Sequence, residues 1–164
     1  MKRAVIFLGA VLFLALLLPL CLAPIAASAT TYSFNLIGPN TASEESSNSI
    51  RVTGSGTFNT GTHSVVASGS FTRFNSAGAV VDRGTWQATR FDSFTGFGGP
   101  NPGTQGGVLE ITVTLFPNGA APETGVSMSV TCLVGSPPGG LEEGTTVGNF
   151  TEKTGGQTLF HLKN

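Results

Sequence analysis

From Thr31 onward, apolar and polar residues alternate with a period of two, in runs of roughly six to eleven residues. The runs fall near 31–37, 49–58, 64–74, 79–91, 107–116, 125–134, 145–152 and 158–163. Gly, Asn and Pro punctuate them, and longer connections are expected near 38–48, 98–106 and 135–144. No window keeps a helical period, and Gly recurs too often for long helices. Repeats of fixed period are absent. The pattern predicts an all-β, antiparallel meander of about eight strands, closed as a small β-barrel or folded as a β-sandwich.

Two hairpins can be registered from the pattern. Asn75-Ser76-Ala77-Gly78 is a turn sequence. Pairing Phe74 with Ala79 across it sets Ala67 opposite Trp86, Val65 opposite Ala88 and Gly69 opposite Gly84. A small residue facing the chain's one Trp would make room for the indole, and paired glycines would permit a bend. The second hairpin joins 107–116 to 125–134. Matching apolar faces pairs Leu115 with Val126, Val113 with Met128, Ile111 with Val130 and Leu109 with Cys132. A one-residue slip would set Leu and Val against Ser and Thr.

The N-terminus reads differently. Lys2 and Arg3 precede an apolar run from Ala4 to Leu22, then Pro24 and Ala27-Ser28-Ala29. Small residues at −3 and −1 predict a signal peptide over 1–29, cleaved before Thr30, and one secreted β domain over 30–164. The product would be extracellular, periplasmic or attached to the cell surface. An uncleaved anchor is the plainer alternative. A lipidated Cys21 is a third, which Leu18-Pro19-Leu20 fits poorly. No later apolar run approaches ~20 residues, so no membrane span is expected after cleavage.

Residues 30–164 carry six Lys plus Arg against nine Asp plus Glu, a net charge of −3. Without a basic patch, nucleic-acid binding is not expected. Ten Phe and repeated Val, Ile and Leu argue against disorder. Cys132 is the one thiol after Ala29, which precludes an intrachain disulfide there. Alternation with Val126, Met128 and Val130 assigns it to the core.

Catalytic and phosphate-binding motifs are missing. His63 sits in a turn and His161 in the last strand, far apart in sequence, so neither a metal nor another cofactor is expected. The densest polar group lies in 64–74 and 79–92. In the register above, Arg73, Asp82 and Arg90 share a face with Phe71, Trp86 and Ala88, and Asp92 joins if no bulge intervenes. A bulge near Phe91 would turn Arg90 outward. These residues, with Phe94 and Phe97 in a Gly-rich stretch, form the candidate ligand site: Trp86, Arg90, Arg73, Asp82, Asp92, Phe94 and Phe97. The structural alternative is a rim charge pair, with the phenylalanines capping the core. Asn149-Phe150-Thr151 matches a glycosylation sequon. The leading functional expectation is a non-catalytic secreted module that binds a small amphipathic or anionic ligand, or a surface glycan. A surface-assembly subunit of undetermined oligomeric state comes second, and a small barrel enzyme of isomerase or cyclase type third.

Overall fold

The computed structural model describes residues 29–163, so all of the expected signal segment but Ala29 lies outside the described residues. Those residues form eight strands and no helix: β1 (Thr31–Ser43), β2 (Ser49–Asn59), β3 (Ser64–Phe74), β4 (Val80–Gly98), β5 (Thr104–Pro117), β6 (Glu123–Cys132), β7 (Gly144–Val147) and β8 (Glu152–Lys163). All pair antiparallel in one sheet, in the order β4-β3-β2-β1-β8-β5-β6-β7. Because β4 also pairs with β5, six strands close into a ring, from which β6 and β7 extend. Closure beside β8 is brief, through Thr104 with His161 and Gln105 with Phe160.

Two elements run longer than their alternation suggests, because bulges carry them through breaks in the pattern. β1 continues past an irregularity between Leu36 and Asn40, and β4 continues past three, after Ala88, Phe91 and Gly96. Each β4 bulge adds one residue and resets which side chains face inward, whereas β1 gains two and keeps Leu36, Asn40 and Ala42 on one buried face. Thus Phe91 and Phe94 both pack against the core although three positions separate them.

Both hairpin registers differ by two residues from the expected ones, which preserves their faces. In the first, Trp86 pairs with Gly69, Gly84 with Phe71 and Asp82 with Arg73. The cause is the turn. Asn75 Oδ1 accepts from the backbone N–H groups of Ala77 and Ala79, at 3.1 and 2.9 Å, and a shift follows before Phe74 meets Val80. In the second, Val113 pairs with Val126, Ile111 with Met128, Leu109 with Val130 and Gly107 with Cys132. A shift between Val113 and Leu115 brings Leu115 opposite Glu123, near Gly125 at φ +71°.

The interior is filled by side chains. Trp86 is 1% exposed, and its indole lies over the bare backbone of Gly54 and Gly69, themselves paired across β2 and β3. Its Nε1 donates to the carbonyl of Thr53 at 2.9 Å. At the end of the ring near the chain's first strand residues, Tyr32, Phe34, Phe58, Phe94 and Phe160 stack in a cluster with centroid separations of 4.8–6.4 Å. Cys132 is fully buried, and burial pushes its thiol pKa up.

Along the seam where β7 returns toward β1 and β8, side chains take the place of a ladder. Glu143 accepts from the N–H of Leu133 at 2.6 Å and of Thr158 at 2.8 Å. Buried Asn40 donates to the carbonyl of Gln157 at 3.1 Å and accepts from the hydroxyl of Thr145 at 3.2 Å. Gly156, at φ +118°, leaves room for Asn40: a Cβ there would sit 2.6 Å from its Cα. Lys153, half-buried, donates to Thr131 Oγ1 at 2.6 Å and to the Glu142 carbonyl at 2.8 Å, and burial lowers its pKa.

Candidate functional site

Antiparallel hairpins gather alternate turns at one end. The β1–β2, β3–β4, β5–β6 and β7–β8 turns all lie at the end away from the aromatic cluster. Between them opens a cleft of about 580 Å³, lined by the apolar Leu115, Val126, Val147 and Phe150 and by polar groups that include Glu44, Arg73, Glu123, Ser127 and Asn149.

Arg73 organises the polar side. It is the last inward-facing residue of β3 before the turn, so its guanidinium emerges where the core meets solvent. Both terminal nitrogens donate to the Glu123 carboxylate, each at 2.6 Å. Nη1 also lies 3.4 Å from Asp82 Oδ2, and the guanidinium carbon sits 5.1 Å from the centre of the Phe71 ring. A two-pronged contact of this kind fixes both side chains in orientation. Glu123 holds the Arg73 pKa above its ordinary value, and Arg73 holds the Glu123 carboxyl below its own. Glu44, on the β1–β2 turn, accepts from Ser46 and Asn48, and these bonds lower its pKa.

The expected site residues do not gather into one site. Arg73 and Asp82 meet at this cleft as direct cross-strand partners. Arg90 turns outward beyond the first β4 bulge and pairs with Asp92, which accepts the Thr112 hydroxyl at 2.8 Å. Arg90 and Trp86 therefore do not share a face. Trp86 is enclosed in the core, and Phe94 belongs to the aromatic cluster at the far end. Phe97 is half-buried, and its carbonyl accepts from the N–H of Ser136.

His161, which the alternation left free to point inward, is exposed, with Nδ1 3.3 Å from the Gly103 carbonyl oxygen. His63, at φ +51°, stacks on Phe91 at 5.7 Å. Among the described residues, no group of three His, Cys, Asp or Glu side chains is placed to hold a metal ion.

The chain matches no protein-family model, no curated protein and no solved structure.

Sequence reasoning missed Glu44, Glu123, Leu115, Val147 and Phe150 as cleft residues. Glu123 stands 50 positions from Arg73 and meets it only because β4 pairs with β5 and β5 with β6. No local signal carries that proximity.

Chemically, the cleft can hold a molecule that is apolar on one side and hydrogen-bonding on the other. Its two carboxyls, Glu44 and Glu123, are both shifted toward the ionised form, away from the pKa a general acid needs near neutral pH. The depressed Glu123 pKa also has a consequence for folding. The pair's contribution is fully present above the unfolded carboxyl pKa, about 4.3, and is lost as pH falls through the lower folded value. With Glu123 partly exposed, Glu123→Gln is expected to cost about 1 kcal/mol at pH 7 and almost nothing in strong acid. Urea midpoints of both proteins across the acid range measure this; a gap that does not narrow with acid would contradict the pairing.

Proposed function

We propose that the ring is a closed β-barrel and that the chain is an exported, non-catalytic module binding a small amphipathic ligand or short glycan at the cleft. The observation that carries this reading is the meeting of an aliphatic floor with a fixed ion pair in one open recess. Leu115, Val126, Val147 and Phe150 would take the apolar part of the ligand. Asn149 and the outer carboxylate edges would take its hydroxyl or amide groups.

Because Arg73 is already paired with Glu123 and lies close to Asp82, an uncharged amphipath fits better than an anion. The filled interior favours a ligand at the barrel mouth over one deep inside. Export is proposed on the N-terminal residues alone, and secreted material should begin Thr30-Thr31-Tyr32.

The test is an amide NMR titration of the chain beginning at Thr30, with fatty alcohols, phenolics and short oligosaccharides. Saturable shifts are expected at Gly125, Ser127, Gly148 and Asn149, and Val126→Trp, which enlarges an apolar side chain lining the recess, should abolish them. If no member of the panel moves these amides, the cleft is not the binding site.

A further inference from the structure

The carboxylates of this acidic chain are unevenly placed. Asp82 points inward to Arg73, Asp92 sits beyond a bulge beside Arg90, and the others lie on the β1–β2 turn or on the chain from β5 onward. The outward face of β2, β3 and the first half of β4 carries none. Its cross-strand rows follow from register. Arg51 pairs with Thr72, and Thr72 with Arg83; in the next row, Thr53 pairs with Ser70, and Ser70 with Thr85.

Neither Arg51 nor Arg83 forms an ion pair among the described residues. With one strand between them, their backbones stand about 10 Å apart. Arg51 lies over the Phe74 ring at 5.1 Å, which orients its guanidinium without using its N–H groups. In the adjoining row, the hydroxyls of Thr53 and Ser70 are 2.8 Å apart, held by the sheet. An anion approaching this face meets two cations without ion pairs beside a bank of hydroxyls.

We propose that this face docks an acidic polysaccharide, with Arg51 and Arg83 pairing its carboxylate or sulfate groups and the Thr53–Ser70–Thr85 row bonding its sugar hydroxyls. Charge complementarity selects an anion, and charge number selects the class. Duplex DNA presents a charge about every 1.7 Å and is held by many basic contacts. Anionic lipid surfaces are read by clusters of about four to eight Lys or Arg. Two cations embedded among neutral hydroxyls suit a sparsely charged, hydroxylated polymer. This site is separate from the cleft and does not depend on it.

Affinity electrophoresis of the chain beginning at Thr30, through gels containing hyaluronan, chondroitin sulfate or neutral dextran, tests the proposal. Both acidic polymers should retard the protein and dextran should not. Salt should weaken binding, because both contacts are solvent-exposed charge pairs. Arg51→Gln and Arg83→Gln, both at exposed positions, should each weaken binding several-fold and together abolish it, with thermal unfolding unchanged. Thr72→Asp, which sets a carboxylate between the two cations, should also abolish it. Val126→Trp should leave retardation intact, so failure of the cleft reading would not imitate failure here. Equal retardation by dextran, undiminished binding in the double variant, or loss in Val126→Trp alone would overturn the proposal.

Discussion

Gly69→Ala is expected to leave the chain without its native fold at ambient temperature. A Cβ at Gly69 would fall inside contact distance of the Thr53 carbonyl, 2.6 Å from Trp86 Nε1 and 2.7 Å from Gly54 Cα. Two of these neighbours are backbone and cannot rotate away. The third is the largest side chain of the core, anchored by its own hydrogen bond to Thr53. Overpacking a well-filled core ordinarily costs about 1–3 kcal/mol. Here strands β2 and β3 must also separate, so a loss above about 4 kcal/mol is expected, against a typical total of about 5–15. Trp86 emission and near-UV circular dichroism report the outcome directly. Gly139→Ala, where a Cβ meets nothing within 4 Å, should stay within about 0.5 kcal/mol of wild type. If both variants unfold at the same urea concentration, the indole does not rest on Gly69.

The second large effect is expected at Ile111. It is 1% exposed and lies between its cross-strand partners Phe91 on β4 and Met128 on β6. An aspartate there would have to lose its water without gaining a partner. Ile111→Asp should therefore abolish cooperative unfolding. One position along, Thr112 faces outward and donates to Asp92. Thr112→Asp gives up that bond and sets two carboxylates together at the surface, which should cost about 1 kcal/mol. Urea denaturation followed by far-UV circular dichroism separates the two variants. Similar curves would mean that β5 presents the other face to the core.

These variants also mark how far the sequence was legible. The alternation of Leu109, Ile111, Val113 and Leu115 against Met128, Val130 and Cys132 identifies the buried face, because parity depends only on hydrophobicity. Absolute register is another matter. It depended on the Asn75 side chain capping its own turn and on Gly125 taking a positive φ, and neither leaves an apolar signature. Reading Ala67 as the residue facing Trp86 followed from that turn, whereas the indole needs the complete absence of side chains that Gly54 and Gly69 provide. The candidate site was legible only in part. Arg73 and Asp82 are near in sequence, and their pairing could be read from one hairpin. Glu123, the stronger partner of Arg73, comes from the neighbouring hairpin, and no pairwise pattern within a strand indicates it.

The seam between β7 and β8 bears on how the protein behaves in a crowd of its own copies. Exposed strand edges recruit other strands, and natural sheets suppress this by shortening or covering them. Here the ring removes most edges outright, and β7 is only four residues long. At the remaining gap, Glu143 and Asn40 occupy backbone N–H and C=O groups that an incoming chain would otherwise seek. Strand invasion would first have to displace these side chains and uncover Thr158, which is buried. Chains folding side by side are thus protected from templating one another, and any higher-order array is expected to form through side-chain faces rather than by extension of the sheet.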